Sequence, residues 1–167
     1  RDRLQLIVCR QEGGVAFMAE AAGKLTGRPG IAFVTRGPGA SNAAIGVHTA
    51  AQDSTPMILF IGQVGSDFVD REAFQEVDYR AFFGSMAKWV VEIDDAARIP
   101  ELVTRAFAIA ASGRPGPVIV ALPEDMLTDV VETVAPLPFV PVESAAGEAE
   151  IAATIALLEK AERPFVI

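Results

Sequence analysis

Ile31-Ala32-Phe33-Val34-Thr35-Arg36-Gly37-Pro38-Gly39-Ala40-Ser41-Asn42 joins an apolar run, a glycine turn and the start of an alanine-rich stretch. Ile31 to Thr35 is aliphatic and aromatic, which predicts a strand. Gly37-Pro38-Gly39 is turn chemistry, and the small residues from about Ser41 to Ala51 predict a helix. The same alternation spreads outward from this stretch. Upstream, Leu4-Gln5-Leu6-Ile7-Val8-Cys9 reads as a strand and Gly14 to Leu25 as a helix, with Val15, Met18, Ala22 and Leu25 on one face. Downstream come strands from Met57 to Ile61, Trp89 to Ile93 and Pro117 to Leu122. A short helical piece precedes Trp89. An amphipathic helix carrying Leu102, Val103, Ala106, Phe107 and Ala110 follows Ile93.

The strands are continuous apolar runs rather than alternating ones, so both of their faces are buried. Parallel strands joined by crossover helices require that pattern. The fold class is therefore α/β: a doubly wound, mostly parallel sheet with helices on both faces, binding ligands at the carboxyl ends of its strands.

At 167 residues, 51% hydrophobic and 22% charged, the chain suits one well-packed domain and excludes a disordered or collagen-like protein. A net charge of −8 argues against a nucleic-acid partner. No apolar run approaches the ~20 residues that cross a bilayer, so no membrane partner is expected. The single cysteine, Cys9, falls in an apolar run, which predicts core packing and a reducing, cytoplasmic setting. After Asp129 the composition changes. Ala135 to Pro141 reads as an extended linker, Glu148 to Ala161 as a new helix, and Phe165-Val166-Ile167 as the first strand of a second domain. With Arg1 at its start and an apolar run at its end, the chain reads as a fragment.

Glu12 lies between the first strand and the first helix. There it caps helix amides or aims an acid at a ligand, with Gly13 and Gly14 allowing close approach. The Gly37 turn lacks both the lysine of a P-loop and the GxGxxG spacing of a dinucleotide site. His48, the only histidine, sits within a helix and reads as a packed or partly exposed side chain. One His and one Cys far apart give no metal site, and no Gly-x-Ser-x-Gly elbow supports a serine nucleophile. Gly62-Gln63-Val64 and Glu72 to Glu76 supply polar loops at strand ends, and Lys88 either holds an anion or lies on the surface.

Taken in order, Cys9 to Gly14, Val34 to Asn42, Gln52 to Pro56, Ile61 to Val64, Ala73 to Asp78, Ala87 to Trp89 and Gly113 to Val118 resemble one known domain. It is the N-terminal, pyrimidine-binding domain of thiamine diphosphate enzymes of the acetolactate synthase type. The resemblance covers about residues 4–130. It implies the thiamine diphosphate-binding fold, with a pyrimidine-binding domain at 1–134, a linker at 135–147 and the start of a middle domain at 148–167.

By this resemblance Glu12 is the catalytic acid that hydrogen-bonds the cofactor's aminopyrimidine. The contact favours the imino tautomer that removes the proton from C2 of the thiazolium. An aspartate would fall short, and a glutamine could not exchange the proton. Thr35, Pro38 and Asn42 line the pyrimidine pocket, and Gln63 reaches cofactor or substrate. Phe74, Gln75 and Lys88 face a 2-oxo acid substrate across a subunit interface. The resemblance further implies a homodimer or homotetramer, with Ala43, Ala44, Ala50 and Ala51 on an exposed helical surface suited to close contact. Mg²⁺ is held by a domain outside this chain, and the middle domain binds FAD in some members. The implied function is carboligation or cleavage of a 2-oxo acid. The alternatives are decarboxylation of a 2-oxo acid or an oxalyl-CoA-type substrate, or, for these residues alone, a non-catalytic cofactor-binding module. Two positions depart from the common pattern: Arg36 replaces a small hydroxyl residue, and Gly13-Gly14 replaces a bulkier pair.

Overall fold

Met57, Leu59 and Ile61 of one strand point into one apolar cluster while Ile58 and Phe60 point into another, and all five are buried. That strand is β2 (Met57–Gln63) in a computed structural model describing residues 4–132, 134–136, 139–140, 142 and 144–165. With β1 (Gly30–Val34), β3 (Trp89–Glu92) and β4 (Pro117–Pro123) it forms a four-stranded sheet in the order β1-β2-β4-β3, and every pairing is parallel. The α/β class with a parallel sheet is as expected.

Helices cover both faces. On one lie α1 (Glu12–Thr26), α2 (Pro38–Gln52) and the short α3 (Tyr79–Phe83), packed on Met57, Leu59, Ile61 and Ile119. On the other lies α4 (Ile99–Ala111), whose Leu102, Ala106 and Ala110 meet Ile58, Val118 and Val120. Burying each of the larger of these side chains, Leu, Ile, Val or Met, is worth ~1.5–3 kcal/mol.

Four expectations are corrected. Leu4 to Val8 is not a strand: it joins no strand partner among the described residues, and Leu4, Leu6 and Val8 are exposed. β-branched composition makes a strand only where an edge is offered for pairing. Cys9 is correspondingly half-buried outside the core, with its thiol 3.4 Å from the Met18 sulfur. The helix α1 is present, but its buried face is Gly13, Ala16, Ala19, Glu20 and Gly23, whereas Met18 and Leu25 are exposed. Small residues win that face because α1 approaches α2 closely: a Cβ at Gly46 would lie 2.5 Å from the Ala16 Cβ. For the same reason Ala43 and Ala50 are fully buried and form no exposed surface.

The ends of α1 orient the site. Gly27 closes the helix in the left-handed region at φ 68°, and β1 begins at Gly30. A Cβ at Gly30 would lie 1.8 Å from the Ala19 carbonyl oxygen, so the second half of α1 runs beside the amino edge of the sheet. Its first residue, Glu12, therefore falls at the opposite, carboxyl edge. Residues 130–147 carry no helix or strand among those described, and α5 (Glu148–Lys160) buries none of its side chains. Phe165 is exposed outside any strand, and Val166 and Ile167 lie outside the described residues. No described helix is long and apolar enough to cross a membrane.

Candidate active site at the carboxyl edge of the sheet

Glu12 opens α1 without capping it. Gln11 does that, accepting the Gly14 amide on Oε1 at 2.7 Å. The Glu12 carboxylate is thereby left for another partner. It is half-buried, and Asn42 Nδ2 donates to its Oε2 at 3.1 Å. No described group donates to Oε1. Gly13 makes this approach feasible, since a Cβ there would stand 3.2 Å from the Asn42 carbonyl oxygen and 2.9 Å from Gln11 Oε1.

Thr35 ends the β1 run, and Gly37 then turns the chain into α2 with φ 38° and ψ −95°. Only glycine suits this turn, because a Cβ would meet the Gln75 carbonyl oxygen at 2.8 Å. Pro38 occupies the first turn of α2, where its missing N–H costs nothing. Glu12, Asn42, Thr35 and Pro38 thus all belong to the carboxyl ends of strands and the amino ends of helices. Arg36 bridges the edge, its guanidinium 3.2 Å from Glu124 beyond β4.

The 70–78 loop lies against this turn. Asp70, Glu72 and Gln75 all have positive φ (61°, 54° and 68°). Such strain persists only where the surroundings hold it. Glu76 supplies the hold, accepting the Asp70 amide at 2.7 Å and the Ala73 amide at 3.0 Å. Phe74 projects from the loop, 82% exposed, while Gln75 packs its backbone on Gly37.

Two predicted residues are engaged with other groups. Gln63 is buried and turned inward. Its Nε2 donates to the Val77 carbonyl (3.0 Å) and to Glu92 (3.3 Å), and its Oε1 accepts from Val64 N (2.9 Å). Its polar atoms lock the loop to the sheet. Lys88 stands at the amino edge, donating to the carbonyls of Ile109 and Ser112 (2.6 Å for the latter) and stacking its stem against Gly116. It closes the end of α4, as a cation at a helix carboxyl terminus does. Partial burial lowers its pKa. It is not brought together with Glu12.

Tyr79 carries no motif in the sequence. It is buried, its hydroxyl accepting from Gly37 N (3.0 Å) and donating to Gly62 O (3.2 Å). Burial raises its pKa, so it is a neutral phenol. Its one available signal was its uniqueness as the only tyrosine, just after the helix-capping Asp78. Beside it a cavity of about 350 Å³ opens between Gln63, Glu76, Tyr79, Arg80 and Glu92.

Residues 1–82 match the family model described as thiamine pyrophosphate enzyme, N-terminal TPP binding domain. The chain is 39% identical over 165 residues to acetolactate synthase of Bacillus subtilis, a match covering 98% of this chain and 29% of that protein. It is 41% identical over 127 residues to the acetolactate synthase large subunit of Lactococcus lactis, covering 76% of this chain and 22% of that protein. To the mitochondrial acetolactate synthase catalytic subunit of Aspergillus candidus it is 35% identical, with 96% and 25% covered. The chain therefore spans less than a third of these curated relatives.

Proposed function

This chain belongs to the thiamine pyrophosphate enzymes, through their N-terminal domain, and from that membership we propose that it supplies the aminopyrimidine-binding half of an acetolactate synthase-like active site. The whole protein is read as a carboligase or lyase acting on a 2-oxo acid. The observation that carries the reading is the Glu12 carboxylate, half-buried at the carboxyl edge and held through one oxygen by Asn42.

The residues suit the cofactor. Glu12 Oε1 is left to meet a ring nitrogen, as a donor or an acceptor according to where the shared proton rests. Asn42 sets the plane of that carboxylate. Thr35 and Pro38 wall the ring, and the 70–78 loop brings Phe74 and Gln75 to the rim on the substrate side. When bound, thiamine diphosphate supplies an acidic thiazolium carbon and an electron sink for cleavage next to a carbonyl. The protein's part is to orient, to exclude water and to hold one proton at Glu12.

Residues 1–134 are read as the pyrimidine-binding domain, 135–147 as a linker and 148–167 as the start of a middle domain. The diphosphate and its Mg²⁺ are then held by a domain beyond these residues, FAD is an option of the middle domain, and the working protein is a cytoplasmic homodimer or homotetramer.

The test is a titration of the full-length protein with thiamine diphosphate and Mg²⁺, followed by pyruvate as the probe 2-oxo acid. Metal-dependent binding and carbon dioxide release are common to both readings, and a product in which two carbon chains are joined is the outcome that supports carboligation. Aldehyde alone would move the assignment to a decarboxylase. No cofactor binding would overturn the reading.

A further inference from the structure

The β1–β2 ladder ends where Val34 pairs with Ile61. Past that rung the strands part: β1 leaves through Thr35, Arg36 and Gly37, while β2 continues beside β4 to Gln63. Strands that separate inside a protein leave backbone groups in need of partners. Here the amide of Gly37 and the carbonyl of Gly62 are both satisfied by one hydroxyl, that of Tyr79. The ring is 3% exposed and packs on Phe83 with centroids 6.4 Å apart, so the hydroxyl is delivered from a fixed base.

The α1–α2 contact at Gly13 and Gly46 already holds Glu12 to Asn42. That contact does not hold the Thr35–Pro38 turn to the sheet. We propose that Tyr79 is a positioning residue for the cofactor half-site, its hydroxyl fixing the Thr35–Pro38 wall at a set distance from the Glu12–Asn42 pair. This assignment rests on the function proposed above. Gly37 has a backbone conformation available to few residues, and its turn is braced on one side by Gln75 and on the other by Tyr79. Removing one brace frees the turn without removing any group that touches cofactor.

The experiment compares wild type, Tyr79→Phe and Leu102→Ala in the full-length protein. Tyr79→Phe keeps the ring and loses the bridge. Leu102→Ala hollows the core on the opposite face of the sheet and keeps the bridge. In the protein without cofactor, hydrogen exchange in peptides spanning residues 35–42 should accelerate in Tyr79→Phe and stay unchanged across 99–111. Its affinity for thiamine diphosphate with Mg²⁺ should fall roughly 5- to 100-fold, the scale of one buried polar group left unpaired. Leu102→Ala should lower the melting temperature at least as much while leaving affinity near wild type. Equal loss of affinity in both variants, or wild-type exchange and affinity in Tyr79→Phe, would overturn the role of Tyr79. A wild type that fails to bind the cofactor would overturn the proposed function, and this assignment with it.

Discussion

Asn42 Nδ2 and Glu12 Oε2 stand 3.1 Å apart, joining the first residue of α1 to the fifth residue of α2 across 30 positions of the chain. The amide can only donate to a carboxylate there, so it fixes which oxygen of Glu12 faces the site. Asn42→Ala should slow C2–H exchange of bound thiamine diphosphate roughly 10- to 100-fold, in keeping with the ~1.5–3 kcal/mol of a hydrogen bond to a charged group. Asn42→Asp puts a second carboxylate at that distance, and the pair then shares a raised apparent pKa. The acidic limb of the pH–rate profile should move to higher pH, as kinetics of the full-length enzyme will show.

Glu12→Gln isolates the proton. The variant keeps size and a hydrogen bond but has no carboxyl proton to exchange, so C2–H exchange should slow by ~10²–10⁴-fold. Since Gln11 caps α1, the melting temperature should stay near wild type. Quenched-flow NMR beside a thermal melt reads both quantities. A lowered melting temperature with unchanged exchange would take Glu12 out of the chemistry.

Gly46→Ala tests the helix contact behind the site. Its new methyl would lie 2.5 Å from the Ala16 Cβ and 2.8 Å from the Ala16 carbonyl carbon, so α1 must move. The expected cost is ~1–3 kcal/mol of stability. Because Glu12 rides on α1, cofactor affinity should fall as well. Chemical denaturation and calorimetry on the same preparation would show the two losses together.

Lys88→Met separates the amino edge from the chemistry. Methionine keeps part of the stem against Gly116 and loses the contacts to Ile109 and Ser112. Stability should fall while C2–H exchange stays at the wild-type rate. The pH dependence has a definite sign. The folded-state pKa of Lys88 is lowered, so between it and the ordinary value near 10.5 the unfolded chain binds more protons. Wild type should therefore gain stability relative to Lys88→Met as pH rises through that window. Melting temperatures measured from pH 7 to 10.5 would check it.

Central strands are legible because burial on both faces writes itself as an unbroken apolar run, as at Met57–Gln63 and Pro117–Pro123. Leu4 to Val8 is nearly as apolar and has no strand partner among the described residues, and composition does not encode partners. The buried face of α1 is not legible from its largest apolar residues, because close helix contact selects the smallest. Glu12 was legible from its place after an apolar run and before two glycines. Gln63 and Tyr79 were not, because what they do depends on groups 14 to 42 residues away: the Val77 carbonyl, Glu92, Gly62 and the Gly37 amide.

The glycine-and-alanine seam between α1 and its neighbours also sets how this surface can drift over generations. A methyl at Gly23 would come within 2.2 Å of the Pro56 carbonyl oxygen, and one at Gly30 within 1.8 Å of the Ala19 carbonyl oxygen. Backbone atoms cannot step aside as a side-chain tip can, so these positions admit almost no replacement. Phe17, Met18 and Leu25, on the exposed flank of the same helix, carry no such restriction from within the chain. Sequence change should therefore collect on one side of a single helix while the other stays frozen. A randomised library would tolerate diversity at 17, 18 and 25 and lose nearly every variant altered at 23, 30 or 46.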